Sequence, residues 1–406
     1  MVFTVKTPEE ASELLREAFR GAMTGVENVP VEECVGRVCA GAIMSTEYVP
    51  GFNRSTVDGY AVRASETFGA SESIPAILRV AGEVHMGESF DTQLAPGECA
   101  AVPTGGFMPE NTDAAVMLEY TEDYGDGTVG VIRPAAPGEN MIYKGDDVKP
   151  GDVLLKQGAV ISPHDVGGLA ALGMETISVR KKTAVGIIST GDELVPVGAL
   201  PRAGQVRDVN TSMLYAAVME AGGTPILFGT VRDDCSLLRQ TAREALNRCD
   251  ILLISGGSSV GMKDSTAMVI EEMGELLFHG IAIKPGKPTI AGKAGNRAVF
   301  GLPGHPAAAH YITRIFVRPL IAQMMGTEPK SFTVTAKLAE AVPSNHGRAE
   351  CISVNLEAVQ GKTVLARPIH GKSGLITALA GADGYFIVPR DCEGIPKGGE
   401  VTITLY

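Results

Sequence analysis

A multidomain fold joining an α/β unit to several β units is predicted by three features of the chain. Buried apolar strands alternate with helices over residues 181–327, whereas residues 74–133 and those after 328 carry only short strands divided by Gly, Pro and Asp clusters. Glycine makes up 49 of the 406 residues, a surplus over the usual ~7 % that supplies many tight turns. Strands alternating with helices imply a parallel sheet covered on both faces, three layers in all, with functional loops at the carboxyl ends of the strands.

The elements follow in order. Thr7-Pro8-Glu9-Glu10 reads as an N-cap, a proline in the first turn and a capping glutamate, and residues 1 to about 45 are expected to be helical with short turns. The irregular run 45–63, broken by Pro50, Gly51 and Gly59, opens an inserted β unit. Residues 144–180 are turn-rich, with a helix starting near Ser162-Pro163, and are expected to pair with the N-terminal segment. In the α/β unit, 183–189, 224–231 and 250–255 are strands; 211–223 is a helix capped by Asn210 or Thr211 and stopped by Gly222-Gly223; helices 236–248 and 263–274 follow. Segments 278–292 and 297–303 are read as further strands, and 306–325 as a closing helix. After residue 326 the β pattern returns, as a barrel-like or sandwich unit. The expected domains are 1–48 with 145–180, 49–144, 181–327 and 328–406.

Composition narrows the function. Lys and Arg number 35 against 47 Asp and Glu, a formal charge of −12, so neither nucleic acid nor an anionic membrane is an expected partner and any anionic substrate needs a local basic pocket. The seven cysteines are odd in number, without a C-x-x-C pair, which fits reduced thiols in the cytoplasm. The apolar run 307–325 contains His310, Arg314, Arg318 and Gln323 and reads as a buried helix, not a membrane span. No nucleophile elbow, H-E-x-x-H, Walker A or full dinucleotide fingerprint is present.

Several loops gather at the expected strand ends. Ser255-Gly256-Gly257-Ser258-Ser259 follows a buried strand and precedes a helix, an arrangement that lets backbone N–H groups face an anion, with Asp264 suited to hold Mg²⁺ beside it. Gly191-Asp192-Glu193 and Asp233-Asp234 add acidic loops at the same rim. Lys284-Pro285-Gly286-Lys287 sets two ammonium groups on a stiff turn, and Pro303-Gly304-His305 enters a helix whose first N–H groups are free. Asp58 sits before Gly59 on a sharp turn suited to metal binding or oxyanion positioning. Each has an ordinary reading as well: a tight turn, a solvated acid, a solvated hairpin, a helix cap. Their convergence is what points to an anion and metal site.

In this order and at these spacings, RSTVDGYAVR, VPTGG, STGDEL, ISGGSSVGMKD, AIKPGKP and GLPGHPAA resemble the molybdopterin molybdenumtransferase family, of the MoeA and gephyrin E-domain type, across essentially the whole chain. The resemblance implies a discontinuous elongated domain, an inserted β domain, a molybdopterin-binding α/β domain and a C-terminal β domain, in a homodimer with its site between subunits. It implies that molybdate is inserted into adenylylated molybdopterin with release of AMP, assisted by Mg²⁺ or a similar ion. Gly256, Gly257 and Ser258 would cradle the phosphate, and Gly191, Ser255, Gly286, Pro303, Gly304 and His305 would be further substrate-binding residues. Asp58, Glu193 and Asp264 would handle the metal ion, and Lys284 and Lys287 the anionic oxygens. Thr104 and Asp58 would come from the partner subunit, with Asp147 and Asp233 nearby and Arg348 and Ser373 facing the cleft. The chain departs from the family pattern at SGGSS, VDGYA, GLPGHP and Gly280, which leaves tungstate open beside molybdate. Two alternatives carry other functions: a molybdopterin adenylyltransferase, disfavoured by the extra β units, and a non-catalytic carrier or scaffold, disfavoured by the retained acidic and basic residues.

Overall fold

The computed structural model describes the backbone of residues 5–256, 260–359, 363–371, 374 and 379–406, and the side chains of all these except 260–264, 359 and 363. Helix α1 (Pro8–Ala18) begins with a reciprocal capping box: the Thr7 hydroxyl accepts from the Glu10 N–H, and the Glu10 carboxylate accepts from the Thr7 N–H. It buries Ala11 and Leu15, and Phe19 just beyond it, in the core of the α/β unit. Beyond α1 the described residues up to 45 hold only one short 3-10 turn, Val31–Glu33, and are otherwise not helical, contrary to the sequence expectation. Val26–Pro30 is a strand antiparallel to Thr176–Arg180, and Ile43–Met44 pairs with Val153–Leu155. Both partners lie far downstream, so only tertiary pairing reveals the strand character of this valine- and proline-containing stretch. Helix α2 (Pro163–Ala171), capped by Ser162, packs Leu169 into a core with Cys34, Cys39 and Ile177.

The β unit that follows residue 50 forms a six-stranded sheet in the order Ala114–Met117, Gly59–Val62, Glu98–Val102, Ala76–Glu83, Thr128–Val131 and Thr121–Asp123. The α/β sheet runs Thr224–Val231, Ala184–Thr190, Ile251–Gly256, Arg297–Leu302, Ile290–Ala294 and Glu275–His279. Its first four strands are parallel; Ile290–Ala294 runs antiparallel to both of its neighbours, Arg297–Leu302 and Glu275–His279, which corrects the all-parallel expectation. Gly295 and Asn296 alone join Ile290–Ala294 to Arg297–Leu302, and two residues make a hairpin but cannot make the crossover that parallel strands need.

Helices cover both faces of that sheet. On one, α3 (Val209–Glu220) joins α1 and the closing helix in a core built on Val185, Ile187, Ile251 and Leu253; on the other, α4 (Cys235–Leu246) and α5 (Val260–Met273) cover Ile188, Leu252 and Ile254. Each of these fully buried aliphatic side chains contributes roughly 1.5–3 kcal/mol of transfer free energy. The cap of α3 is Asp208, not Asn210 or Thr211: its Oδ1 accepts from the Thr211 N–H at 3.0 Å. The closing helix comprises α6 (Pro306–Ile312), a π turn at Thr313–Val317 and α7 (Arg318–Met324). Pro319 lacks an N–H and crowds the preceding turn, which accounts for the local widening.

At the C-terminus Thr333–Leu338, Ala349–Val359, Thr363–Pro368, Gly384–Val388 and Glu400–Leu405 each pair with two of the others, so the five strands close into a barrel. This settles barrel against sandwich. The segment 278–292 does not stay within one sheet as expected: Ile283–Lys284 leaves the α/β unit and pairs in parallel with Ala349 and Glu350 of the barrel.

Candidate functional site

The loops that leave the four parallel strands meet at one rim. Gly256 has φ +135°, and a Cβ there would lie 2.1 Å from the Thr190 carbonyl oxygen, so only glycine lets these two strand ends approach. Gly191 leaves room for its neighbour's carboxylate in the same way, since a Cβ would sit 2.6 Å from Glu193 Oε2. Across the rim the Asn210 side-chain amide donates to Ser255 Oγ at 2.8 Å and to the Gly304 carbonyl at 2.9 Å. Asn210 thereby ties Ser255-Gly256 to Pro303-Gly304. Its Oδ1 is buried without a hydrogen-bond partner among the described residues. Below it the Thr211 hydroxyl bridges Ser189 Oγ and Asp208 Oδ2, each at 2.7 Å. Gly257 and Ser258 lie outside the described residues, as does the side chain of Asp264.

Asp192, Glu193 and Asp233 crowd the same rim. Burial, and then the charges of Asp192 and Glu193, push the Asp233 carboxyl above its ordinary range, and the Asp233 N–H donates to Asp192 Oδ1 at 3.4 Å. An oxygen-only donor set under mutual repulsion fits a hard cation such as Mg²⁺. Among the described residues no three His, Cys, Asp or Glu side chains converge into a finished metal centre. Asp234 is committed elsewhere, accepting from the N–H groups of Ser236 and Leu237 at the start of α4.

Beside the rim, a cavity of about 980 Å³ opens between the Lys284–Lys287 turn, the start of α6 and the barrel. It gathers Lys284, Gly286 and Lys287 of one turn, Pro303 and His305 of a second loop, and Arg348 of the barrel, three segments that lie apart in the sequence. Gly286, at φ +131°, lets the turn press onto α6, where a Cβ would meet Ile312 Cδ1 at 2.9 Å. Lys284 is not a free anion hook, because its ammonium group lies 2.6 Å from Glu350 Oε1. Tyr311 and Ser353 form part of the wall, with their hydroxyls 2.6 Å apart. Ser373 lies outside the described residues, although Gly371 and Gly374 line the cavity.

The remaining predicted residues sit in the inserted β unit and its neighbour turn. Asp58 Oδ1 accepts from the Thr104 N–H at 2.7 Å, which fixes the two together. Gly59 follows with its Cα against the next strand, where a Cβ would lie 1.8 Å from the Val116 carbonyl oxygen. Asp147 donates its N–H to the Val49 carbonyl, placing its turn beside the 48–55 stretch. No described residue of 49–144 lines the cavity. Sequence reasoning missed Glu350 and read Asn210 only as a cap. The alternation of the barrel strand marks Glu350 as one of two faces, but not as the face that meets Lys284.

A three-layer α/β unit with glycine turns and carboxylates at its strand ends, joined through a basic cavity to a closed barrel, defines a multidomain enzyme built to bind an anionic small molecule. Comparison with known proteins is more specific. The chain matches the MoeA N-terminal region (domain I and II) over residues 6–173, a probable molybdopterin binding domain over 186–323, and the MoeA C-terminal region (domain IV) over 335–406. It is 33 % identical to a molybdopterin molybdenumtransferase of Bacillus subtilis, over 98 % of this chain and 94 % of that one. It is also 33 % identical to the Haemophilus influenzae enzyme of that name, over 94 % of each chain. A molybdopterin biosynthesis MoeA crystal structure from Pyrococcus horikoshii superposes with a TM-score of 0.87 at 36 % identity, covering 99 % of this chain and 100 % of that one. The chain belongs to the molybdopterin molybdenumtransferase, or MoeA, family: it is a molybdopterin-binding transferase of molybdenum cofactor biosynthesis that acts by metal insertion. Among the described residues no helix is long and apolar enough to cross a membrane.

Proposed function

We propose that the chain converts adenylylated molybdopterin and molybdate into metallated cofactor and AMP. The observation that carries this reading is the cavity that sets Lys284, Lys287 and Arg348 beside the Pro303–His305 loop, which Asn210 ties to Ser255-Gly256. Backbone N–H groups at Gly256, Gly257 and Ser258 hold the pterin-linked phosphate, and Gly304 and His305 close the other side. Lys287 and Arg348, with Lys284 and Ser373, hold the oxyanion by charge-assisted hydrogen bonds, each contributing roughly 1.5–3 kcal/mol. Tungstate has nearly the same size and charge and fits the same donors.

Glu193 and Asp264, with Asp58 of a second copy, are the carboxylates that would hold Mg²⁺, which supplies neutralisation of the phosphoanhydride charge. Water or an oxyanion oxygen adds to one phosphorus of the anhydride and the bond to the other phosphate breaks, releasing AMP, while the two dithiolene thiols replace one oxo ligand of the oxyanion, which leaves with their two protons as water. The chain itself supplies positioning and charge, and no side-chain nucleophile is required. That no 49–144 residue is among the described residues of the cavity wall supports a homodimer in which Asp58 and Thr104 complete the partner's site, with Asp147 and Asp233 nearby. The domain limits 1–48 with 145–180, 49–144, 181–327 and 328–406, and a cytoplasmic location, belong to the same reading.

Asp58→Ala and Glu193→Ala test it. Each is expected to abolish oxyanion-dependent AMP release while thermal unfolding stays within a few degrees of wild type, since both side chains are exposed. Full activity in both variants would remove the site assignment.

A further inference from the structure

We infer that Glu350 is a resident counter-ion of the oxyanion site: it occupies the Lys284 ammonium until the tetrahedral oxyanion competes it away, and so sets how tightly that substrate binds. The inference rests on the proposed placement of the oxyanion at Lys284, Lys287 and Arg348. Three observations carry it. Lys284 and Glu350 are direct partners in the strand register that joins the α/β unit to the barrel, so their side chains meet by construction. The Lys284 ammonium lies 2.6 Å from Glu350 Oε1, and the carboxylate is the fixed member, with its side chain 13 % exposed against 47 % for the lysine. Its other oxygen accepts from the Ser344 hydroxyl at 2.8 Å, so both oxygens are satisfied while the site waits.

The charge balance points the same way. Three cations and one carboxylate line this wall of the cavity, and neither Lys287 nor Arg348 takes part in an ion pair among the described residues. The wall is thus left with the excess that a dianion neutralises. An oxyanion that reaches Lys284 must share the ammonium with Glu350 and meets its repulsion in a partly desolvated cleft, where such terms are large. The carboxylate therefore lowers affinity and speeds exchange without touching the pterin end of the site.

Molybdate binding to the full-length protein, measured by calorimetry, tests this. Glu350→Gln is expected to bind molybdate about tenfold more tightly. Its KM for molybdate should fall, while the KM for the adenylylated pterin is unchanged. Glu350→Asp keeps the charge and should stay within about threefold of wild type. Ser344→Ala leaves the carboxylate leaning wholly on Lys284 and should weaken molybdate about threefold, which keeps the question answerable if Glu350→Gln does not fold. Unchanged or weaker binding by a folded Glu350→Gln, or an unchanged Ser344→Ala where Glu350→Gln is unfolded, overturns the inference. Lys287→Ala and Arg348→Ala separate it from the reading beneath: if they lose molybdate, that reading stands whatever Glu350 does. If both bind like wild type, the oxyanion sits elsewhere and the two fall together.

Discussion

At the scale of single residues, the site depends on absent side chains as much as on charged ones. Gly256 shows this, because a Cβ there would lie 2.1 Å from the Thr190 carbonyl oxygen, which cannot swing away without moving a buried strand end. Gly256→Ala should therefore lower stability by about 2–3 kcal/mol, read from the urea midpoint, and reduce turnover well beyond what that loss explains. Such constraints were half legible in the sequence. A glycine pair after a buried strand announced a close approach, but not that Thr190 is what approaches, nor that Asn210 braces the opposite loop. All seven cysteines are free, and burial pushes the Cys39 thiol up to about 11 and the Cys99 thiol to about 12, which keeps these two protonated at neutral pH.

At the scale of elements, what could be read was what is local. Both Ser/Thr-Pro helix starts were visible because a cap is followed at once by a proline and, three residues after the cap, by an acidic residue, and both form reciprocal boxes. At Ser162 the backbone and side-chain hydrogen bonds hold the Asp165 carboxyl below its ordinary value of 3.8. A lowered folded-state value means the ionised form is favoured by folding. The contribution is therefore present at neutral pH and is lost as pH falls below about 3.8 through the depressed value. Ser162→Ala should cost about 1 kcal/mol at pH 7 in chemical denaturation, with the difference from wild type shrinking in acid; a deficit that is constant with pH would detach Asp165 from the cap. Elements whose partners are remote behaved differently. Val26–Pro30 was read as part of a helical segment because its strand partner begins at Thr176, and the antiparallel edge of the α/β sheet was hidden behind an alternation that looked uniformly parallel.

For the whole molecule, the decisive question is where one site ends and another begins. The charged cavity is built from the α/β unit and the barrel, while Asp58 and Thr104 are locked together in the inserted β unit. If they meet only across a dimer, co-expressed Asp58→Ala and Lys287→Ala chains should regain about a quarter of wild-type activity, the share expected when random pairing leaves one intact site in half of the dimers. Restoration to that level, with each variant inactive alone, is the expected outcome; an inactive mixture of verified heterodimers would place the whole site within one chain. The family resemblance predicted this arrangement from six ordered motifs, but spacing alone could not, because nothing local says which surfaces of two copies meet.

The central claim is that this chain couples phosphoanhydride cleavage to metal insertion at one site. It is tested most directly by incubating the purified protein with adenylylated molybdopterin, Mg²⁺ and either molybdate or tungstate, and following AMP and metallated pterin in the same samples. AMP release that requires an oxyanion and appears in step with metallated product is the predicted result, and it ranks the two metals. Tight pterin binding with no turnover of either oxyanion would contradict the account and make the chain a carrier.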